Sequence, residues 1–357
     1  MSRPPRDIHQ AIVEQCDCNR DFAVVMVLKT VGSTPRKAGA KAIIDAGGAI
    51  QGTIGGGAVE AESQRLAIEA VKIARPLVFD FNLEGITAGG SSPICGGMMR
   101  VLIDPTAAKH RAAYAAASEA RQRRERGVLL TSIRGRERPD VEVQFFVERA
   151  IPLDIGFPNA EAVRSALARE ETGSFVKESP QDEQCVEVLV EPLIPNPLLV
   201  IAGGGHVGQA LAVQADLLGF DILVFDDRPE FTATELFPEG VSSRCGPIDE
   251  EIDRLSIGDD TYIVIVTRNH QHDAEALAAC LHKPAAYIGM IGSRRKVGII
   301  RKEWVESGRA TAAEFDRVYA PIGLDIGSVT VPEIAASIAA QLIAVRRKCS
   351  GATIPRK

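Results

Sequence analysis

Several short stretches of this chain carry residues that could do chemistry. The first is Gly203-Gly-Gly-His206-Val-Gly208, which follows the apolar run Leu198 to Ala202. Gly203, Gly205 and Gly208 fill a G-x-G-x-x-G pattern between a strand and a helix expected over Gln209 to Leu218. The first glycine permits a tight turn, the second lets a phosphate approach the backbone, and the third lets helix pack on strand. The helix N-terminus offers unpaired N–H groups to an anion. His206 stands inside the turn. A second strand ends at Asp226 and Asp227, about 20 residues on, where dinucleotide-binding folds keep an acid for a ribose hydroxyl.

Further stretches accompany it. Gly292-Ser293-Arg294-Arg295 combines a hydroxyl, two guanidinium groups and a helix start, a credible phosphate site. The alternative is a solvated basic helix face. His270-x-His272-Asp273 has zinc-type ligands. Its plainer reading is that Asp273 caps a helix and one histidine is a polar pocket residue. In the N-terminal half, Gly32-Ser33-Thr-Pro-Arg36-Lys37 forms a cationic loop. Gly55-Gly56-Gly57 precedes a helix that carries Glu60, which makes an anion-binding surface possible. Cys95 sits beside two glycines at the end of a long polar loop, so its thiol could stand exposed or could be a small buried hydrophobe. Cys16-x-Cys18 is a weak pattern for a soft metal. No nucleophile, base and orienting group fall together as a hydrolytic triad.

The elements that would position these residues follow from periodicity. A helix is expected over residues 6 to 16, and strands over Phe22–Leu28, Ala40–Asp45 and Ala49–Ile54. A long helix follows to about Arg75, then strands Leu77–Phe81 and Met98–Ile103 and a helix over 107–125. A strand pair, Gly127–Ile133 and Val141–Val147, precedes a helix Ala160–Arg169 and a last strand Cys185–Glu191. Pro192, Pro195 and Pro197 mark a boundary between domains 1–193 and 194–357. Beyond it, strands at 198–202, 222–226, 241–245, 261–267 and 286–291 alternate with helices, the last being Val331–Arg346. The fold class is therefore α/β: an α+β N-terminal domain before a Rossmann-like doubly wound parallel sheet.

The 357 residues carry a net charge of −6, 45% apolar and 25% charged residues. That balance is globular and argues against general nucleic-acid or anionic-membrane binding. No apolar run long enough to span a membrane occurs, and the N-terminal residues lack the apolar core of a secretion signal. Seven unevenly spaced cysteines suit a reducing cytoplasm better than a disulfide framework.

Taken in order, these motifs resemble the XdhC/CoxI family of xanthine dehydrogenase accessory proteins. The resemblance lies in Gly32-Ser-Thr-Pro-Arg-Lys-Ala-Gly-Ala40, Gly52-Thr-Ile-Gly-Gly-Gly-Ala-Val-Glu60 and Cys95-Gly-Gly97. It continues in Gly203 to Gly208, Asp226 to Phe231, His272-Asp273, Ile291 to Lys296 and Ala320-Pro-Ile-Gly-Leu-Asp325-Ile-Gly327. It implies a chaperone that binds molybdenum cofactor, in molybdopterin, mononucleotide or dinucleotide form. Such a protein supports sulfuration by a cysteine desulfurase and delivers the cofactor to an apo molybdenum hydroxylase. It also implies a homodimer and places Cys95 at the family's Cys-Gly-Gly thiol, the candidate metal ligand. One position departs: Ala58 stands where many members carry a second cysteine. The first reading is thus a cofactor chaperone, with ligand expected between the domains. The second is an NAD(P)-dependent oxidoreductase using Gly203, Gly205, Gly208 and Asp226. A third, a metal-dependent hydrolase, would rest on His270 and His272.

Overall fold

The computed structural model describes residues 7–83, 97–178 and 185–347, which fall into two compact units, Met1–Pro195 and Asn196–Lys357. The first unit stacks two antiparallel sheets. One has the order β3 (Ile50–Gly52), β2 (Lys41–Asp45), β1 (Phe22–Gly32), β5 (Gly97–Asp104), β4 (Leu77–Asn82). Strand β1 is buried on both faces, and its side chains divide by parity. Val24, Met26 and Leu28 enter a core shared with α1 (Ile8–Asp17), α3 (Arg111–Gln122) and the second sheet. Ala23, Val25 and Val27 pack under α2 (Gly57–Ile73). The second sheet has the order β7 (Asp140–Val147), β6 (Gly127–Arg134), β9 (Val186–Leu193), β8 (Gly173–Lys177), covered on its far side by α4 (Ala160–Arg169).

Three elements differ from the sequence reading. Strand β1 runs on past Leu28 to Gly32, with a register shift between Val27 and Lys29, so the cationic loop grows directly out of a paired strand. The helix expected over 107–125 is a short 3-10 turn, Ala107–His110, before α3. Asp104 holds the start of this turn by accepting from the Thr106 amide at 2.8 Å and hydroxyl at 2.6 Å. Strand β8 is not evident in the sequence; its Gly-Ser-Phe-Val-Lys stretch pairs, among the described residues, only with β9.

The second unit is a parallel sheet in the order β12 (Ser242–Cys245), β11 (Asp221–Asp226), β10 (Leu198–Ala202), β13 (Thr261–Ile265), β14 (Tyr287–Met290). Helices α5 (His206–Leu217) and α10 (Val331–Arg346) cover one face. Helices α6 (Ile248–Asp253), α7 (His270–Cys280) and α8 (Arg294–Glu306) cover the other, with the short α9 (Ala312–Asp316) beyond. Burial on both faces explains the unbroken apolar runs of β10 and β13. The order reverses beside β10, and a doubly wound sheet opens a ligand crevice at such a point. No described helix is long and apolar enough to cross a membrane.

Inside the first unit, Lys41 and Glu191 form a buried ion pair, their side chains 3% and 6% exposed. Lys41 Nζ also donates to the Gly39 carbonyl at 3.4 Å, while Glu191 Oε2 has no partner. Removing one member leaves an uncompensated buried charge. Lys41→Met should therefore cost about 3–5 kcal/mol in a denaturant titration, whereas Lys41→Met with Glu191→Leu should restore most of that loss.

Candidate functional site

The glycine turn after β10 is built by contacts that no side chain could share. Gly203 has φ +120°, and a Cβ there would lie 2.5 Å from the Val266 carbonyl oxygen. A Cβ on Gly208 would lie 2.0 Å from the Gly203 carbonyl oxygen, so the first turn of α5 presses on the strand end. Gly205 is different. It caps α5 with φ −68° and ψ −172°, and a Cβ there meets nothing within 4 Å. Neither conformation nor internal packing demands glycine at this point. Its bare backbone leaves open space before the helix N-terminus, where N–H groups lack helical partners. His206 is exposed on the first turn.

Asp226, expected to face a ribose, is turned inward. It is 2% exposed. Its carboxylate accepts from the Gly204 amide at 2.9 Å, the Arg228 amide at 3.1 Å, and Arg228 Nε and Nη2 at 2.9 and 3.1 Å. Burial pushes its pKa up, but the Arg228 and Gly204 hydrogen bonds outweigh burial and hold it below the ordinary carboxylate range. The guanidinium of Arg228 lies over the Phe231 ring at 3.8 Å. This acid braces the turn, and its acceptor sites are filled. Sequence reasoning misses Arg228; a cation two residues after a strand-end acid is the available signal.

Asp273 is likewise a brace. The N-cap of α7 is Asn269, which accepts from the Gln271 and His272 amides at 3.0 Å; the expectation that Asp273 caps the helix is corrected. Asp273, 1% exposed, accepts from the Thr267 hydroxyl at 2.6 Å, the Thr267 amide at 3.2 Å and Lys296 Nζ at 2.6 Å. It therefore ties the loop after β13 to the first turn of α8. In the sequence, Lys296 reads only as the end of a basic run.

Ser293 caps α8 by accepting from the Lys296 amide at 3.3 Å. Arg294 and Arg295 are exposed on its first turn and form no ion pair among the described residues. Asp227, beside Asp226, accepts from Arg268 Nη2 at 2.7 Å. His272 lies between Asp227, at 3.9 Å, and Glu275, at 3.0 Å. These three residues line a cavity of about 250 Å³ with Pro247, Ile248 and Asp249. His270 is the exposed first residue of α7. Asp325 lies elsewhere in this unit, on the wall of a cavity of about 420 Å³ with Arg301, Arg317, Tyr319 and Gln341. Among the described residues, no group of three or more His, Cys, Asp or Glu side chains could hold a metal ion. Cys16 and Cys18 are free thiols, and burial raises the pKa of Cys16.

In the first unit, Ser33 and Arg36 are exposed on the loop after β1. That loop meets both other motifs. A Cβ on Gly55, φ +136°, would lie 2.6 Å from the Pro35 ring, and one on Gly97 would lie 2.4 Å from the Ser33 carbonyl oxygen. The Gly55-Gly56-Gly57 turn does not offer all its amides to a ligand. Glu60 accepts from the Thr53 hydroxyl at 2.7 Å and the Ile54 amide at 3.2 Å. Burial raises the Glu60 pKa, but bonds from Thr53 and the Gly56, Ile54 and Gly55 amides bring it below the usual value. The anion that this turn holds is its own Glu60. Cys95 lies outside the described residues.

A chain with two antiparallel sheets in one unit and a Rossmann-type unit at its end belongs to a recognisable class, and similarity identifies it further. Residues 199–342 match the XdhC Rossmann domain, and residues 16–82 match the XdhC and CoxI family. The chain belongs to the XdhC and CoxI family. Over 96% of its length it is 28% identical to the Escherichia coli protein YqeB, of which it spans 46%. It is 24% identical to a Bacillus subtilis protein named as a probable xanthine dehydrogenase component, over 96% of this chain and 98% of that one. A crystal structure described as a xanthine dehydrogenase from Bacillus halodurans has the same fold, with TM-score 0.73, 22% identity, and coverage of 98% and 100% of the two chains.

The brace at Asp226 has a pH signature. Its folded pKa is depressed below 3.8, so its contribution is present above the unfolded value and is lost as pH falls through the folded one. Asp226→Asn should cost about 1–3 kcal/mol near neutral pH, the penalty for disturbing a buried charged hydrogen-bond set. The gap between variant and wild type should narrow on acidification, read as urea midpoints across a pH series.

Proposed function

We propose that this protein is a carrier of the molybdenum cofactor that supports its sulfuration and its insertion into an apo molybdenum hydroxylase of the xanthine dehydrogenase type. One observation carries the reading. The helix mouth at Gly205 is open to an anion, while the acid that a nicotinamide dinucleotide would use for its ribose is occupied by Arg228 and the Gly204 amide. A ligand with a phosphate or pyrophosphate is accommodated, and the ribose hydroxyl contact that marks NAD binding is not offered. This favours the carrier over an NAD-dependent oxidoreductase.

The residues present suit that ligand. The first turn of α5, with Gly205 and His206, would meet phosphate oxygens through backbone N–H groups. Ser293, Arg294 and Arg295 add a hydroxyl and two guanidinium groups that form no ion pair among the described residues and match phosphate geometry. In the first unit, Ser33, Arg36 and the Gly55–Gly57 turn frame the described end of the segment that carries Cys95. A Cys95 thiolate would be a soft donor toward molybdenum or a holder of transferable sulfur. When bound, the cofactor would supply the redox metal that the client later uses; the carrier's residues bind and orient. The name of the Bacillus subtilis relative supports a hydroxylase of that type as client. A cysteine desulfurase as sulfur donor, a homodimer and a cytoplasmic setting complete the proposal.

Two sets of variants test it. Gly205→Val should fold, because a Cβ there meets nothing within 4 Å and φ −68° suits a side chain, yet it should block the phosphate mouth and abolish activation of a co-produced client hydroxylase. Arg294→Ala with Arg295→Ala should weaken cofactor retention by roughly 3–6 kcal/mol, since hydrogen bonds to charged groups contribute about 1.5–3 each. Cys95→Ser should lower the sulfurated fraction of the client's cofactor, while Cys280→Ser, in a buried core position, should not. Full client activation with Gly205→Val would refute the proposed mouth, and turnover of NAD(P)H by the purified protein would favour the enzyme.

A further inference from the structure

Pro321, Gly323 and Asp325 belong to a motif of the sequence that the glycine turn does not explain. They line a cavity of about 420 Å³ in the second unit. The backbone just before them extends the sheet: the Met290 amide donates to the Tyr319 carbonyl at 3.0 Å, and the Tyr319 amide donates to the Ile288 carbonyl at 2.8 Å. Helices α8 and α10 cover opposite faces of that sheet, yet Arg301 of the one and Gln341 of the other both line the cavity. The cavity therefore lies beyond β14, where the two layers meet.

Gln341 is the decisive residue. It is 4% exposed. The Gly323 amide donates to its Oε1 at 2.9 Å, and the Tyr287 hydroxyl donates to the same oxygen at 2.5 Å. A backbone N–H can only donate, so the oxygen must face Gly323 and the amide nitrogen must face away from it. Nε2 has no hydrogen-bond partner among the described residues, yet it keeps accessible surface. In a side chain buried this far, that surface belongs to the cavity it lines. An amide donor locked in place through its own oxygen calls for an acceptor on the molecule that fills the space.

The charges on the solvent side leave both signs available. Arg301 Nε and Nη2 both donate to Asp316 Oδ1, at 3.0 and 2.9 Å. Arg301 Nη1 and Asp316 Oδ2 have no partner among the described residues, so the pair presents a donor and an acceptor side by side. Arg317 is held by the Leu281, Lys283 and Ala285 carbonyls. With Asp325, the wall carries two cations and two acids. That balance selects neither a phosphate nor a polyamine and suits a molecule with one charge of each sign. Val297, Phe315 and Pro321 supply apolar surface.

We propose that this cavity binds a free α-amino acid with an apolar side chain. Gln341 Nε2 and Arg301 donate to its carboxylate, Asp316 Oδ2 accepts from its ammonium group, and its side chain lies against Val297, Phe315 and Pro321. Charge-assisted hydrogen bonds at one end and apolar contact at the other fix its orientation. The volume falls within the roughly 300–1,000 Å³ usual for small-molecule sites. The site is independent of the phosphate mouth at Gly205 and of the cofactor held there.

Isothermal titration calorimetry of the full chain with L-leucine and L-phenylalanine tests it. Two analogues accompany them: 4-methylpentanoate, which lacks the amino group, and 3-methylbutylamine, which lacks the carboxylate. The expected result is saturable binding of the amino acids, about 10-fold weaker or more for each analogue. Gln341→Glu keeps the oxygen that Gly323 and Tyr287 use and replaces the donor with an acceptor; it should weaken binding about 10-fold or more. Asp316→Ala alters an exposed side chain and should weaken binding about 5-fold, which keeps the test decisive if Gln341→Glu fails to fold. Absence of saturable binding by both amino acids, or binding unchanged in the two variants, would overturn the site. Binding of 4-methylpentanoate as tight as that of L-leucine would overturn the amino-acid assignment.

Discussion

A close approach of helix to strand governs the glycine turn of the second unit. The first turn of α5 lies so near the end of β10 that a Cβ on Gly208 would stand 2.0 Å from the Gly203 carbonyl oxygen. This approach sets where α5 begins, and hence where its unpaired N–H groups point. Gly203, at φ +120°, makes the turn that the approach requires, because that region is open mainly to glycine. Gly205 then stands between two constrained neighbours without being constrained itself. The open space before it follows from the other two contacts.

Around this turn the charged residues divide into braces and free groups. Asp226 and Asp273 are buried and fully engaged, the first by Arg228 and the Gly204 amide, the second by Thr267 and Lys296. Each replaces hydration with several hydrogen bonds, as burial of a charge demands. Both fix loops at the carboxyl ends of strands. Arg294, Arg295 and His206 remain exposed on the first turns of two helices. Guanidinium groups that form no ion pair among the described residues, held beside a helix N-terminus, match the geometry of an anion. The first unit follows the same division. Glu60 satisfies the glycine turn from within, while the neighbouring loop leaves Ser33 and Arg36 exposed.

Much of the fold was legible because its signals are steric or periodic. The apolar run of β10, the spacing of Gly203, Gly205 and Gly208, and the 160–169 and 331–346 helices needed no tertiary information. The roles of the acids did not follow in the same way. Position at a strand end fixed where Asp226 lies but not which way its carboxylate turns; Arg228 and the Gly204 amide decide that. Asp273 resembled a helix cap because caps and first-turn acids share the same local sequence; Asn269 takes the cap, and Asp273 turns instead to Thr267 and the distant Lys296. Strand β8 escaped because a short strand with one partner among the described residues has little apolar alternation. Gln341 carried no signal at all, since a lone amide within a helix reads as solvent-facing until Tyr287 and Gly323 are brought against it.

What the open helix mouth and its guanidinium groups hold decides between a carrier and an enzyme. Native mass spectrometry of the full chain, purified from cells grown with ample molybdate, reads that directly. The expected result is a bound species whose released fragment carries a pterin phosphate, in molybdopterin, mononucleotide or dinucleotide form, and whose occupancy collapses in Gly205→Val. A protein that instead carries NAD(P), or that carries the pterin equally well with valine at position 205, would contradict it.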